Sequence, residues 1–201
     1  MALRDSFLGK WYYSILKHLF ILKLKEKSEL SPQKITLTGC ILSIFVPIGF
    51  YLSPILGTLF IIISAIPDSL DGQLAREKGK ESTFGAFLDS TLDRVSDFFY
   101  LLGFWVLALQ YELYLLTTIV FSIALLLTLL FSYAKARIEG LGAKCPVGFM
   151  ERAARVIYLI GWGIISTIFS GFSVILTGIV IYNILVFFSV LQRILYAKRI
   201  L

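Results

Sequence analysis

Four aspartates lie close together in a chain that is otherwise rich in Leu, Ile and Phe: Asp68, Asp71, Asp89 and Asp93. The first two are three residues apart and the last two are four apart, so each pair shares one face of a helix. Consecutive antiparallel helices, joined by a turn near residues 78–82, would bring all four carboxylates together. Such a group of anions needs protons or metal ions to neutralise it. Oxygen ligands suit hard cations such as Mg²⁺ or Mn²⁺, and paired ions typically serve phosphoryl chemistry.

Small residues next to the acids fit a bound ligand. Gly72 and Ala75 would let a flat group lie along the first helix, and Gly85 would admit a ligand or a neighbouring backbone one turn before Asp89. Arg76 is placed to meet a phosphate. The spacing of the acids alone leaves a second function open, because carboxylates in membrane helices also serve ion-coupled transporters.

The composition indicates an integral membrane protein of one domain. Hydrophobic residues make up 58% of the 201 residues and charged residues only 16%, whereas soluble domains carry about 25% charged residues. Cys40 and Cys145 are far apart and do not have zinc-site spacing, so neither a disulfide framework nor a zinc site is expected. Residues 1–30 contain repeated basic residues and no clean apolar core, and no signal peptide is expected there.

Charge-free runs and their breakers predict six transmembrane helices, since about 20 residues cross a bilayer. They are expected near residues 32–52, 54–78, 83–109, 112–138, 148–169 and 172–198. All 19 Lys and Arg would then lie on one side of the membrane, in segments 1–34, 68–97, 135–155 and 193–201. The positive-inside rule places this side, with both termini and the aspartates, in the cytoplasm at the cell membrane. The basic charge therefore indicates topology and attraction to anionic lipid, not nucleic-acid binding.

The first 30 residues are predicted to lie outside the bilayer core. Apolar residues recur at helical spacing between residues 3 and 24, which is typical of an interfacial helix that lies flat at the headgroups. Residues 31–201 would form the membrane domain. The predicted fold is an all-α integral membrane protein, with six transmembrane helices preceded by an N-terminal interfacial amphipathic helix at residues 1–30.

The aspartates belong to a longer pattern: D-x-x-D-G-x-x-A-R, eight residues, then G-x-x-x-D-x-x-x-D. It resembles the signature of the CDP-alcohol phosphatidyltransferases. These are membrane enzymes with six transmembrane helices, commonly homodimers, that move a phosphatidyl or equivalent ether-lipid group from a CDP-linked lipid to an alcohol and release CMP. The resemblance implies that Asp68, Asp71 and Asp89 hold metal, and that Asp93 is the general base and a further ligand. Two divalent cations, Mg²⁺ or Mn²⁺, would match four carboxylates in charge.

The same resemblance implies contacts to the CDP-lipid. Gly72, Ala75, Arg76 and Gly85 would face the cytidine and the diphosphate. Many relatives carry Ser/Thr-Pro-Asn at the start of the first span, whereas this chain has Ser31-Pro32-Gln33. Gln33 would supply an amide similar to that of the missing Asn.

A second motif, S-Y-x-K-A-R followed by E-R-x-x-R, lies at residues 132–137 and 151–155. Its cations suit an acceptor alcohol that itself carries a phosphate, although basic residues beside a span are also ordinary topology signals. The motif resembles the phosphatidylinositol-phosphate and archaetidylinositol-phosphate synthases, in which matching residues line a pocket for inositol 1-phosphate. The resemblance implies acceptor contacts by Ser132, Lys135 and Arg155, with Arg193 as a further contact. Glycerol 3-phosphate, which is also anionic, is the alternative acceptor.

Four further residues depart from these patterns or lie outside them. Ala153 and Ala154 stand where the inositol-phosphate synthases often show Pro-Glu. Asp97 follows Arg94 by three residues, so the helical spacing favours an ion pair between them over a third catalytic acid at Asp97.

Overall fold

The computed structural model describes the backbone of residues 32–77, 82–111 and 113–201, together with their side chains except those of Pro32 and residues 68–77. Nearly all of these residues are helical, and none of them is in a β-strand. The helices are α1 (Pro32–Ser43), α2 (Val46–Leu52), α3 (Pro54–Glu77), α4 (Thr83–Leu109), α5 (Tyr114–Gly140), α6 (Arg152–Ile168) and α7 (Phe172–Ile200). The interfacial helix predicted for residues 1–30 lies outside the described residues and stays a prediction.

The predicted first span is wrong in one respect, because it is two helices and not one. Helix α1 ends at Ser43 and α2 begins at Val46, with Pro47 in its first turn. Proline has no amide hydrogen to donate and its ring crowds the carbonyl four residues earlier, so a helix cannot continue through it undisturbed. The amide of Ile44 instead bonds the carbonyl of Ile41 at 3.2 Å, which closes α1 with a tighter turn.

The fifth predicted span also needs a correction at its start. Helix α6 begins at Arg152, later than the expected start at residue 148. Residues 148–151 belong instead to a non-helical segment between α5 and α6, which we call the connector (residues 141–151). Two of its glycines have positive φ, Gly142 at 88° and Gly148 at 111°, and backbone of this kind cannot extend a right-handed helix.

Three segments within the described ranges are long and apolar enough to cross a membrane: Gln33–Leu52, Tyr114–Gly140 and Phe172–Ile200. A shorter apolar stretch, Pro54–Pro67, begins α3. The lengths and composition of these helices identify a membrane protein, and the total of six spans stays a prediction. Helix α3 continues beyond its apolar stretch to Glu77, so the aspartate-bearing residues 68–77 extend that helix.

The chain forms two compact units, and α3 and α4 contribute residues to both. In the described residues, the first unit contains 32–44, 62–77 and 82–96, and the second contains 45–61 and 97–201 without Glu112. Within the first unit, Ser82 caps α4, since the amide of Gly85 donates to the Ser82 hydroxyl at 3.0 Å. A serine in this position satisfies an amide that the helix itself leaves unpaired. The cap therefore defines the start of the helix that carries Asp89 and Asp93.

Helix α2 is locked into the second unit by an aromatic side chain. The ring of Phe50 is fully buried, and it lies against Gly57 of α3 and Gly103 of α4. A Cβ added at Gly103 would come within 2.6 Å of this ring. Small residues let helices approach closely in membranes, where packing contacts supply much of the association energy. Phe50 also lies 4.5 Å from Phe104 between ring centroids, so one side chain joins three helices.

Helix α7 packs along α5 and α6 in the same unit. Two polar contacts join α5 and α7: the hydroxyls of Thr128 and Tyr182 lie 2.8 Å apart, and Asn183 donates to the carbonyl of Val120 at 3.0 Å. Hydrogen bonds between membrane helices average about 0.6 kcal/mol each. These contacts set the register of the helices whose ends carry the basic acceptor motif.

Candidate active site

Helix α4 presents two of the predicted metal ligands. Asp89 and Asp93 are separated by one helical turn, and both are partly buried. The side chain of Asp93 is 15% exposed, and its Oδ2 lies 3.8 Å from Nη1 of Arg94. Because side chains four residues apart lie above one another on a helix, these two carboxylates can bind one ligand together. Arg94 also donates to the carbonyl of Ser90, which keeps its guanidinium beside its own helix.

The other two predicted ligands, Asp68 and Asp71, belong to α3, and their side chains lie outside the described set. Their spacing of three residues on a continuous helix predicts that they share one face. No cluster of three or more His, Cys, Asp or Glu suited to a metal ion occurs among the side chains that the structure describes. Since that set holds only two of the four aspartates, the joint metal site stays a prediction.

Two predicted CDP-lipid contacts lie next to each other in the first unit. A Cβ built on Gly85 would lie 3.8 Å from Nε2 of Gln33 and 3.0 Å from the Ser82 hydroxyl. The surface of α4 at Gly85 is thus bare backbone bordered by an amide. The remaining predicted contacts are Gly72, Ala75 and Arg76, and they lie in the part of α3 where the structure describes only the backbone.

In the second unit, the predicted acceptor residue Arg155 is buried, with 3% of its surface exposed. Its Nη2 donates to Oδ2 of Asp97 at 2.6 Å, and its Nη1 donates to the carbonyl of Met150 at 2.9 Å. The Nε atom is buried without a hydrogen-bond partner. A buried ion pair is costly to break, since removing one partner typically costs about 3–5 kcal/mol. The side chain is therefore held in place and still has a donor to offer.

The pairing predicted for Asp97 is wrong. Asp97 is paired with Arg155 of α6 and not with Arg94, its neighbour in sequence. Asp97 is itself 3% exposed, and a carboxylate this deeply buried needs a cation that is equally buried. Arg94 has a 35% exposed side chain, so it keeps contact with solvent that Asp97 does not have. Local spacing did not reveal this partner, because Arg155 lies 58 residues further along the chain.

Arg193, the last predicted acceptor residue, is also buried, at 1% exposed. Its Nε donates to the carbonyl of Val147 at 2.9 Å and its Nη1 to the carbonyl of Phe131 at 2.5 Å. Its guanidinium carbon lies 3.4 Å from the centroid of the Phe131 ring, and that of Arg155 lies 5.4 Å from the same centroid. Cations within about 6 Å of an aromatic face are attracted to it. Phe131 therefore holds two like charges close together, a role that the sequence did not reveal.

These groups form what we call the arginine cluster: Arg155, Arg193, Asp97 and Phe131. Ser132 is buried next to Phe131, and Lys135 is partly buried one turn further along α5. The structure thus brings Arg155 and Arg193 together at Phe131, the residue before Ser132, and their joint contact with an acceptor stays a prediction. The connector completes the cluster, since two of its carbonyls accept from the arginines. Fixed cations with an unused donor are suited to bind a phosphate.

The comparisons with known proteins agree with the motifs. The family model of the CDP-alcohol phosphatidyltransferases matches residues 29–192. The archaetidylinositol phosphate synthase of Methanothermobacter thermautotrophicus is 33% identical over 178 residues, which cover 88% of each chain. The protein of the same name from Pyrococcus horikoshii is 33% identical over 173 residues, with 85% of each chain covered.

Solved structures give the same picture. The phosphatidylinositol phosphate synthase of Mycobacterium tuberculosis with CDP-DAG bound superposes with a TM-score of 0.72 at 25% identity, covering 89% of this chain and 93% of that one. The same enzyme in complex with manganese and citrate also gives a TM-score of 0.72, at 26% identity, with 92% of this chain and 88% of that one covered.

Proposed function

We propose that this chain, which belongs to the CDP-alcohol phosphatidyltransferase family, transfers a phosphatidyl or archaetidyl group from a CDP-linked lipid to inositol 1-phosphate and releases CMP. Family membership makes it a membrane transferase, which decides against the ion-coupled transporter. The observation that carries the acceptor is the arginine cluster, because buried guanidinium groups suit a phosphorylated alcohol better than a neutral one. The names of the two archaeal relatives support the same acceptor.

The donor side would bind divalent cations. The donor set of Asp68, Asp71, Asp89 and Asp93 is made of oxygen ligands only, which fits Mg²⁺ or Mn²⁺, and a relative was solved in complex with manganese. Asp89 and Asp93, the two with described side chains, are partly buried and one turn apart, as ligands of one site should be. Two bound cations would neutralise the diphosphate and stabilise the charge that develops on the departing CMP.

The residues of the chain itself would then divide the work of transfer. Asp93 accepts the proton of the attacking acceptor hydroxyl. That oxygen forms a bond to the phosphorus that bears the lipid, while the bond from this phosphorus to the oxygen of CMP breaks. Gly72, Ala75 and Gly85 leave room for the nucleotide, and Arg76 and Gln33 donate to it.

The acceptor is proposed to be held at its phosphate. Arg155 contributes its unpartnered Nε donor, and Lys135 and Ser132 add a cation and a hydroxyl from α5. Arg193 donates two hydrogen bonds to backbone carbonyls, so it stabilises the pocket as well as supplying charge. Holding the acceptor in a reactive orientation supplies much of the rate in transfers of this kind.

We also propose the membrane arrangement expected from the sequence. Six spans would place both termini and the active site on the cytoplasmic side of the cell membrane, with residues 1–30 at the interface and the enzyme as a homodimer. This arrangement is supported by the distribution of all 19 Lys and Arg over segments that lie on one side in that topology. Labelling of single cysteines introduced near residues 80, 111 and 145, in the background without Cys40 and Cys145, would test the sidedness.

CMP release by the detergent-purified full-length chain tests the reaction. The reaction mixture contains a CDP-linked diacyl or archaeal ether lipid, Mn²⁺ or Mg²⁺, and inositol 1-phosphate, glycerol 3-phosphate or free inositol. We expect turnover with inositol 1-phosphate in excess over both others. If only glycerol 3-phosphate is turned over, the acceptor is assigned as glycerol 3-phosphate and the proposed metal chemistry is unchanged. If no acceptor gives metal-dependent CMP release, the proposal is overturned.

A further inference from the structure

We propose that Asp97, which lies outside the metal-binding pattern, is a positioning residue that orients Arg155 toward the phosphate of the acceptor. This inference rests on the proposed function, since it assigns the means by which one acceptor contact is held. It gives Asp97 a role in substrate specificity that neither the aspartate pattern nor the acceptor motif includes.

The first support is the geometry of the pair. Nη2 of Arg155 lies 2.6 Å from Oδ2 of Asp97, a short distance that is typical of a charge-assisted hydrogen bond. Both residues are 3% exposed, so water does not screen or replace the contact. A surface pair of this kind would be weakly oriented, whereas this one restricts the guanidinium to one position.

The second support is the way in which the donors of Arg155 are distributed. Asp97 takes Nη2, the carbonyl of Met150 takes Nη1, and the Phe131 ring lies 5.4 Å from the guanidinium carbon. The guanidinium is planar and rigid, so contacts at both terminal nitrogens fix its plane and the direction of the N–H at its third nitrogen. That donor, Nε, is buried and has no partner. A buried donor in this state is unfavourable unless a ligand satisfies it.

The third support is electrostatic. The guanidinium carbons of Arg155 and Arg193 lie 5.4 Å and 3.4 Å from the centroid of the Phe131 ring. Two cations that lie against one ring repel each other. The carboxylate of Asp97 offsets this repulsion and allows both cations to stay in the cluster. Since its charge is already committed to Arg155, Asp97 is also poorly suited to serve as a third catalytic acid.

A purely structural role makes a different prediction and can be separated by kinetics. If the ion pair only ties α4 to α6, its loss should lower stability and affect both substrates alike. If Asp97 acts through Arg155, its loss should raise the apparent KM of the acceptor more than that of the CDP-lipid. Hydrogen bonds to charged groups are worth roughly 10- to 100-fold in affinity.

The experiment uses the full-length enzyme with Asp97→Asn, which keeps the shape of the side chain and removes its charge. Saturation curves are measured for inositol 1-phosphate and for the CDP-lipid, together with the melting temperature. We expect the acceptor KM to rise about 10-fold, with a much smaller change for the CDP-lipid. Asn183→Leu is the matched control, because it removes a partly buried hydrogen bond between helices, to the Val120 carbonyl, outside the cluster. It should lower the melting temperature without changing the ratio of the two KM values.

A double variant tests whether Asp97 acts through its partner. If it does, adding Asp97→Asn to Arg155→Gln should cause no further rise in the acceptor KM, since interacting residues are not additive. Independent effects, or equal KM changes for both substrates in Asp97→Asn, would overturn the inference. If Asp97→Asn does not fold, Asp97→Glu retains the charge with a longer side chain, and the same unequal rise is expected.

Failure of the proposed function would be recognised separately. If the unmutated enzyme uses glycerol 3-phosphate in place of inositol 1-phosphate, the acceptor assignment fails. The same variants are then measured with glycerol 3-phosphate, and the unequal change in KM is still expected because both acceptors carry a phosphate. If Asp97→Asn changes the KM values of the CDP-lipid and of the acceptor that the enzyme uses to the same extent, only the proposed role of Asp97 is refuted.

Discussion

Replacing Gly148 with Ala should damage the arginine cluster without changing the identity of any of its residues. Gly148 has a φ of 111°, and an added Cβ would come within 2.7 Å of the Phe131 ring and 2.8 Å of Nε of Arg193. Nonbonded carbon atoms prefer separations of about 3.5–4.0 Å, so the ring and the guanidinium would have to move. The guanidinium is held by hydrogen bonds to the carbonyls of Val147 and Phe131, and movement weakens them.

The cost of the contacts that the new Cβ makes at residue 148 can be separated from the cost of backbone strain by a control substitution in the same connector. Gly142 also has a positive φ, 88°, but an added Cβ there would meet nothing within 4 Å. Both substitutions force a residue with a side chain into a disfavoured backbone conformation, which costs about 1–3 kcal/mol of stability. Only Gly148→Ala also disturbs a hydrogen bond from a charged group, worth about 1.5–3 kcal/mol. We therefore expect Gly148→Ala to be less stable than Gly142→Ala by about 1.5–3 kcal/mol.

Both variants are purified in detergent and compared by reversible denaturant unfolding, or by melting temperature where unfolding is irreversible. Saturation curves for the acceptor and the CDP-lipid accompany them, and Gly148→Ala should raise the acceptor KM more than Gly142→Ala does. Equal stability and equal acceptor KM in the two variants would refute the reasoning, because the contact of the connector with Arg193 would then contribute nothing measurable.

Three further outcomes are expected. Asp71→Asn should lower CMP release by roughly 100-fold or more, the scale on which lost electrostatic stabilisation acts, and should weaken Mn²⁺ activation; near-normal turnover would rule out its role as a ligand. Asp93→Asn should still bind the CDP-lipid but stop transfer, because a base acts on the acceptor; retained transfer with lost donor binding would make it mainly a ligand. Lys135→Ala should raise the acceptor KM by roughly 10- to 100-fold and the donor KM far less, and equal losses would assign Lys135 to the fold or the membrane surface.

Local patterns predicted much of this molecule because they depend on residues close in the chain. Helices α3, α4 and α7 begin at Pro54, Thr83 and Phe172. These starts follow from helix breakers and polar residues next to apolar runs. The spacing of Asp89 and Asp93 placed them on one helix face without any tertiary information. The break between α1 and α2 was missed, although Pro47 signalled it, because hydropathy registers an apolar run and not its continuity.

The sequence by itself determined an all-helical membrane protein, and its aspartate pattern and basic motif predicted phosphoryl transfer and an anionic acceptor, because composition and helical periodicity are local properties. Tertiary structure alone decided which charges meet. Local spacing favoured Arg94 as the partner of Asp97, but burial of the carboxylate selected Arg155, which is far away in the chain and equally buried. The stacking of Arg155 and Arg193 on Phe131 was likewise decided by packing. A buried charge must be neutralised by whatever group the fold brings to it, and sequence spacing does not contain that information.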